Sequence, residues 1–389
     1  MVEHDSWDLV RDALECKVPA RVPSVCMGID YEFMYRLHHS PLAFTYEEFK
    51  EMKKRHVSWI PWHVGGAIKL GANLCWSMTS ISRIFWLDGD LIPGMVKGPG
   101  EPAILESGRF AIATRRSDFE PPAGVPKRPV PHYWHVSECF PSSVAKDRIA
   151  RYFEKPPRVD VNALKRYGKL RENCEKYYNL VVAGQASGIW EPLSLGLGFG
   201  LVSRLWRKDR AFLREIADYF YESSARCLDK LLKFGKPKVV MLGDDYGYNE
   251  GLLMSKEMWD VLVKPGLEAH VQAVHAAGVK FILHSCGKVE SLFKDFVDIG
   301  IDGVDSLSPL NNDLPALKRK FGDKIALVGT IDDTAMLKRS TPAEVKTSVT
   351  ASIRALGPGG YIPGATNALL DHPVENVVAM FDAIKGFNR

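Results

Sequence analysis

From about residue 210 to the end, the chain alternates five times between a short, nearly all-apolar run and an amphipathic stretch. The amphipathic segment 210–234, RAFLREIADYFYESSARCLDKLLKF, opens the series, and its apolar residues recur every three to four positions, which predicts a helix. The apolar runs KPKVVMLGDD, VKFILHSCG, IDGVDSLSP, KIALVGTID and GGYIPGATN read as strands. Between them lie SKEMWDVLVKPGLEAHVQAVHAAG, KVESLFKDFVDIG, LPALKRKFG and TPAEVKTSVTASIRALG, and PVENVVAMFDAIKGF follows the last; all five read as helices. In the fourth, Thr341 followed three residues later by Glu344 predicts a capping box.

Strands that are apolar throughout and separated by helices are expected to be parallel and buried on both faces. That leaves two architectures, an open doubly wound sheet or a closed (β/α)8 TIM barrel. The position of the polar residues favours the barrel. GDDYG, HSCG, SLSP, GTIDD and PGATN all fall at the carboxyl ends of successive strands, the end at which barrels build their sites. A doubly wound sheet usually carries a glycine-rich phosphate turn in its first unit. No G-x-G-x-x-G follows a strand, and LGLGFG at 195–200 lacks an acidic ribose partner at the required distance, so it reads as a packing or helix-entry segment.

The first half is less regular. WDLVRDALECKVPARVP and TYEEFKEMKKR read as helices, while residues 88–160, rich in proline, glycine and aromatics, read as a lid-like excursion over the barrel mouth. The expected organisation is therefore a single barrel domain over 1–389 with an N-terminal extension and long loops.

Bulk properties remove several classes of function. With 51 basic and 47 acidic residues spread along the chain, no concentrated positive face predicts nucleic-acid binding. The amino terminus lacks the pattern of a secretory signal, and no apolar stretch reaches membrane-spanning length. Seven irregularly spaced cysteines fit a reducing compartment better than a disulfide framework, so a cytoplasmic location without membrane attachment is expected. Neither a G-x-S-x-G elbow nor a P-loop occurs.

Residues two apart on a strand point the same way, so His284 and Cys286 present an imidazole and a sulfur to one place. Both suit a borderline cation such as zinc. Spacing alone equally allows a hydrogen-bonded strand-end histidine and a cysteine packed as a small hydrophobe. Asp244 and Asp245 end the preceding strand and are candidates for acid/base work, support of the histidine or metal ligation; turn capping is the bland alternative. Asp332 and Asn367 end two further strands, and Trp190, Glu191, Tyr246 and Tyr248 are candidates for a substrate pocket.

The run from GDDYGYNEGLLMSKEMWDVLVKPG through HSCG, with DIGIDGVDSLSP, DLPALKRKFGDKIALVGTID and HPVENVVAM, resembles the uroporphyrinogen decarboxylase superfamily. It is closer to the corrinoid-dependent methyltransferase branch than to the decarboxylases. The opening WDLVRDALECKVPARVP also resembles that superfamily's first helix and turn. The resemblance implies a (β/α)8 barrel in which His284 and Cys286 bind zinc. It further implies methyl transfer between a small molecule, such as a methoxyaromatic or a thiol, and cobalamin carried by a separate corrinoid protein. True decarboxylases hold their tetrapyrrole with an arginine-rich segment, whereas VPSVCMGIDYEFMYRLHH has Arg36 alone. Thiol-methylating members add a cysteine after the last strand, where Ala365 stands here, with Asn367 nearby. Either Asp244, Asp245 or Glu191 would then supply the missing ligand, or the site is metal-free. Two other readings stay open: a metal-free decarboxylase of a small or tetrapyrrole acid using Asp245, and a barrel that binds a corrinoid or tetrapyrrole without turnover. Assembly as a homodimer is also left open.

Overall fold

The computed structural model describes residues 4–29, 33–34, 36–37, 62–76, 103–104, 110–111 and 159–387. Eight parallel strands form the sheet: β1 (Val25–Cys26), β2 (Leu74–Trp76), β3 (Val181–Ser187), β4 (Val239–Gly243), β5 (Lys280–His284), β6 (Gly303–Asp305), β7 (Ala326–Val328) and β8 (Tyr361–Ile362). They pair in chain order, β1 to β8. The seam between last and first is bridged by the Val25 N–H donating to the Pro363 carbonyl at 3.0 Å and by a parallel bridge between Ile29 and Leu369. The result is a nearly closed TIM barrel, and the barrel expectation holds. The helix predicted at 45–55 and nearly all of the 88–160 excursion lie outside the described residues; within the excursion, Ala103–Ile104 pairs antiparallel with Phe110–Ala111.

Strand alternation divides the apolar residues into two cores. Val181, Ala183, Val239, Met241, Ile282, Ala326, Val328 and Ile362 fill the barrel interior. Val182, Val240, Leu242, Phe281, Leu283, Val304, Leu327 and Tyr361 face outward into the layer beneath the helices. This two-sided burial is why the strands lack polar alternation. The amino-terminal helix Ser6–Leu14, capped by Asp5, adds Val10, Ala13 and Leu14 to the interior cluster and so closes the amino-terminal end of the barrel.

The predicted helices that fall within the described residues form, although 210–234 ends in a π-helical turn, Leu231–Gly235, 288–300 begins with a 3-10 turn, Glu290–Leu292, and a third is broken in its middle. Residues 255–278 read as one continuous helix, but they are divided into Lys256–Met258, a π-helical turn Trp259–Val263 and Lys264–Ala276. Pro265 explains the break: it has no N–H to donate and its ring would clash with a carbonyl one turn back, a conflict that a wider turn relieves. The capping box at Thr341 and Glu344 is present in both directions. Among the described residues, no helix is long and apolar enough to cross a membrane.

Candidate metal centre at the barrel mouth

The parity that sends Met241 and Ile282 into the barrel also sends His284 inward at the carboxyl end of β5. There it is level with Gly243 of β4 and Asp305 of β6. The imidazole is nearly buried and packs edge-on against Trp76 of β2, with ring centroids 5.0 Å apart. Its Nδ1 lies 2.8 Å from Asp305 Oδ2, so Nδ1 carries the proton and donates it, leaving Nε2 facing the mouth.

Cys286 follows two residues later. Its Sγ is 3.6 Å from His284 Nε2 and 3.3 Å from Ser306 Oγ, and its backbone N–H donates to Asp245 Oδ1 at 2.8 Å. The same Asp245 oxygen is 3.9 Å from His284 Nε2. Donor atoms of Asp245, His284 and Cys286 thus lie within 4.8 Å of one another, one oxygen, one nitrogen and one sulfur. Such a set can hold a metal ion. Burial pushes the Cys286 thiol up, although the neighbouring His284 opposes this. Burial works against a charged His284, but the Cys286 sulfur and Asp305 outweigh it and raise its pKa well above the ordinary value.

Two tight turns hold this arrangement. Gly287 has φ +83°, and a Cβ there would sit 2.2 Å from the Gly247 carbonyl carbon, so the turns after β4 and β5 touch backbone to backbone. Ser306 adopts φ +72°, uncommon for a residue with a side chain, and that turn brings its hydroxyl to the Cys286 sulfur.

The two adjacent aspartates separate. Asp245 joins the donor cluster, whereas Asp244 turns back and is fully buried. It accepts the N–H groups of Ile189, Trp190 and Glu191 at 2.9, 3.0 and 2.6 Å, capping the helix Trp190–Leu197 that follows β3. Burial raises its pKa to about 6 against the pull of those three donors. Glu191 begins the same helix. Burial, reinforced by the charges of Asp245 and Asp244 and opposed by His284, lifts its pKa to about 8.

The remaining candidates scatter. Asn367 reaches the cluster, its Nδ2 lying 3.8 Å from Cys286 Sγ. Asp332 accepts the N–H groups of Thr334, Ala335 and Met336 and the Thr334 hydroxyl; burial would raise its pKa, but those donors hold it below the ordinary value. Trp190 and Tyr246 are buried in the strand–helix layer, Tyr246 edge-on to Trp259, while Tyr248 is exposed. Arg36 donates to the carbonyls of Leu370 and His372. Sequence reasoning missed Asp305, Ser306 and Trp76. For Asp305 a signal existed: it is the last residue of its strand, two after a glycine, on the strand next to that of His284.

The model of the uroporphyrinogen decarboxylase (URO-D) family matches residues 155–387, more than half of the chain and all of the donor cluster. The chain belongs to the uroporphyrinogen decarboxylase family. Within it, the sequence likeness runs to the methyltransferases. Over 135 residues the chain is 30% identical to the methylcobamide:CoM methyltransferase MtaA of Methanosarcina barkeri, and to the same degree to MtaA of strain Fusaro. Those alignments span 34% of this chain and only 37% of either curated relative. A methyltransferase from Methanosarcina mazei superposes over 98% of this chain and 99% of its own with a TM-score of 0.63; at 16% identity this is a likeness of fold.

Proposed function

We propose that this uroporphyrinogen decarboxylase family member is a methyltransferase that moves a methyl group between a small molecule and cobalamin carried by a corrinoid protein, assisted by zinc. The observation that carries the reading is the donor cluster of Asp245, His284 and Cys286 at the barrel mouth. Nitrogen, sulfur and oxygen ligands suit zinc, and three protein ligands leave a coordination position for substrate. The residues fit the ion in a second respect: Asp305 Oδ1 is buried without a hydrogen-bond partner, so negative charge beneath His284 is left only partly compensated.

Bound zinc would supply Lewis acidity, lowering the pKa of a coordinated thiol or polarising a methyl-ether oxygen. The chain's own residues would do the rest. His284 and Cys286 would hold the ion from one strand end and Asp245 from the next. Asp244 would fix the helix that carries Glu191, whose carboxyl at a pKa of about 8 would keep a proton at neutral pH near the cluster. Glu191, Tyr248 and Asn367 are the proposed substrate side of the mouth, with Asn367 nearest the sulfur; Trp190 and Tyr246, buried in the strand–helix layer, and Asp332, engaged with its own turn, are not among them. The segment 88–160 is proposed as its cover. With the Asp245 carboxylate in place of a second, more strongly donating thiolate, the ion is a stronger Lewis acid, which favours a methoxyaromatic over a thiol as the methyl partner.

Arg36 is engaged with backbone carbonyls, which speaks against its use on the carboxylates of a tetrapyrrole acid. Elemental analysis tests the proposal. One zinc per chain is expected, retained through dialysis and lost in His284→Ala and Cys286→Ala. A metal-free wild-type protein, prepared in zinc-containing buffer, would sink it.

A further inference from the structure

We infer that Asp305 is a positioning residue for the candidate centre: it holds the proton of His284 on Nδ1 and so aims the Nε2 lone pair at the cation. The inference rests on the metal-site reading above but concerns a residue outside the donor set.

Four observations support it. Asp305 and His284 are register partners across β5 and β6, so the strand pairing itself puts their inward side chains side by side. Their contact, 2.8 Å, is that of a charge-assisted hydrogen bond, and the Asp305 side chain is fully shielded from solvent. Its second oxygen, Oδ1, is buried with no hydrogen-bond partner among the described residues, and a glycine lies on that side. Gly329, at φ +55°, is that glycine: a Cβ there would come within 2.3 Å of Oδ1, so the turn after β7 leaves the carboxylate its room only because it carries no side chain. A buried carboxylate with a free oxygen is costly for an apolar barrel core to keep. It becomes favourable where the imidazole it touches bears positive charge through a bound cation, the arrangement in which a carboxylate orients a ligating histidine and makes it more basic.

The alternative is that Asp305 merely completes the core by bonding a strand-end histidine. Zinc affinity separates the roles, and the Nδ1 proton reports the hydrogen bond itself. Zinc affinity, measured by chelator competition, should fall about 10-fold in Asp305→Asn, which keeps shape and an acceptor, and nearer 100-fold in Asp305→Ala. In protein carrying 15N-labelled histidine, the metal-free wild type should show a far-downfield Nδ1 proton on His284 that is lost in Asp305→Ala. Circular dichroism and the urea midpoint of Asp305→Asn report whether the variant folds. Affinities within twofold of wild type in a folded Asp305→Asn and Asp305→Ala would overturn the inference. If the wild type itself takes up no zinc, the proposed function fails and the inference falls with it, whereas zinc uptake with unchanged affinity in both folded variants overturns the inference alone.

Discussion

The division of labour between two neighbouring residues, Asp244 and Asp245, is the clearest single-residue lesson. Both were legible as strand-end acids, and side-chain alternation predicts that they face different ways. Which one meets the cluster was not legible, because it depends on where the helix Trp190–Leu197 begins. Asp244 accepts three buried N–H groups at that helix start, and removing it would orphan them. Asp244→Ala should therefore destabilise the fold by about 3 kcal/mol or more, since each buried unpaired donor costs about 1–3 kcal/mol. The pH dependence has a definite sign. Burial raises the pKa of Asp244 from 3.8 to about 6. The native state then holds its proton where the unfolded chain has released it, so this contribution to stability is complete below pH 3.8 and is lost as pH rises through about 6. Across that window wild type should lose up to about 3 kcal/mol relative to Asp244→Asn, read from urea midpoints at several pH values. A difference that grows in the opposite direction would refute the assignment.

At the scale of elements, the five carboxy-terminal strands and their helices were legible because their apolar runs are buried on both faces and end in polar turns. The first three strands were not: Val181–Ser187 has its apolar run broken by Gly184 and Gln185, and the other two are only two and three residues long. Periodicity needs more residues than that, and so Trp76, which packs on His284, had no strand to be assigned to. Asp305 was not legible for a different reason: the polar run SLSP begins only after it, so the acid reads as part of the strand, and the strand's last inward position holds the partner of His284. The turns matter as much as the strands. Gly287 and Gly278 both have positive φ, at +83° and +73°, but a Cβ on Gly287 would strike the Gly247 backbone while one on Gly278 would meet nothing within 4 Å. Gly278→Ala should cost only its left-handed backbone, about 1–2 kcal/mol. Gly287→Ala should cost at least about 2 kcal/mol more and, by shifting Cys286, reduce the zinc content as well. Equal unfolding midpoints for the two variants would show that the contact between the turns contributes nothing.

For the whole molecule, the donor cluster joins two adjacent strand–helix units: Asp245 follows β4, and His284 and Cys286 close β5. A cation held there would bind the folded barrel and not the unfolded chain, whose ligands are dispersed. Folding stability should therefore rise with zinc by about 2.7 kcal/mol at a free concentration one hundred times the Kd. The size of that gain is set by protons. Burial pushes the Cys286 thiol up, so in the metal-free protein the sulfur is protonated near neutrality and must lose its proton to bind. Each proton released per ion, from Cys286 and from a His284 whose pKa is also raised, makes apparent affinity fall about tenfold for each pH unit below its titration. Calorimetric unfolding with zinc and with a chelator, at pH 8 and at pH 6, should give a larger separation of midpoints at pH 8. In Cys286→Ser, whose hydroxyl does not ionise in this range, the separation should be smaller and its dependence on pH weaker, what remains coming from His284. A separation in wild type that is the same at both values would mean that Cys286 is not a ligand, and the site would have to be rebuilt around His284 and Asp245 alone.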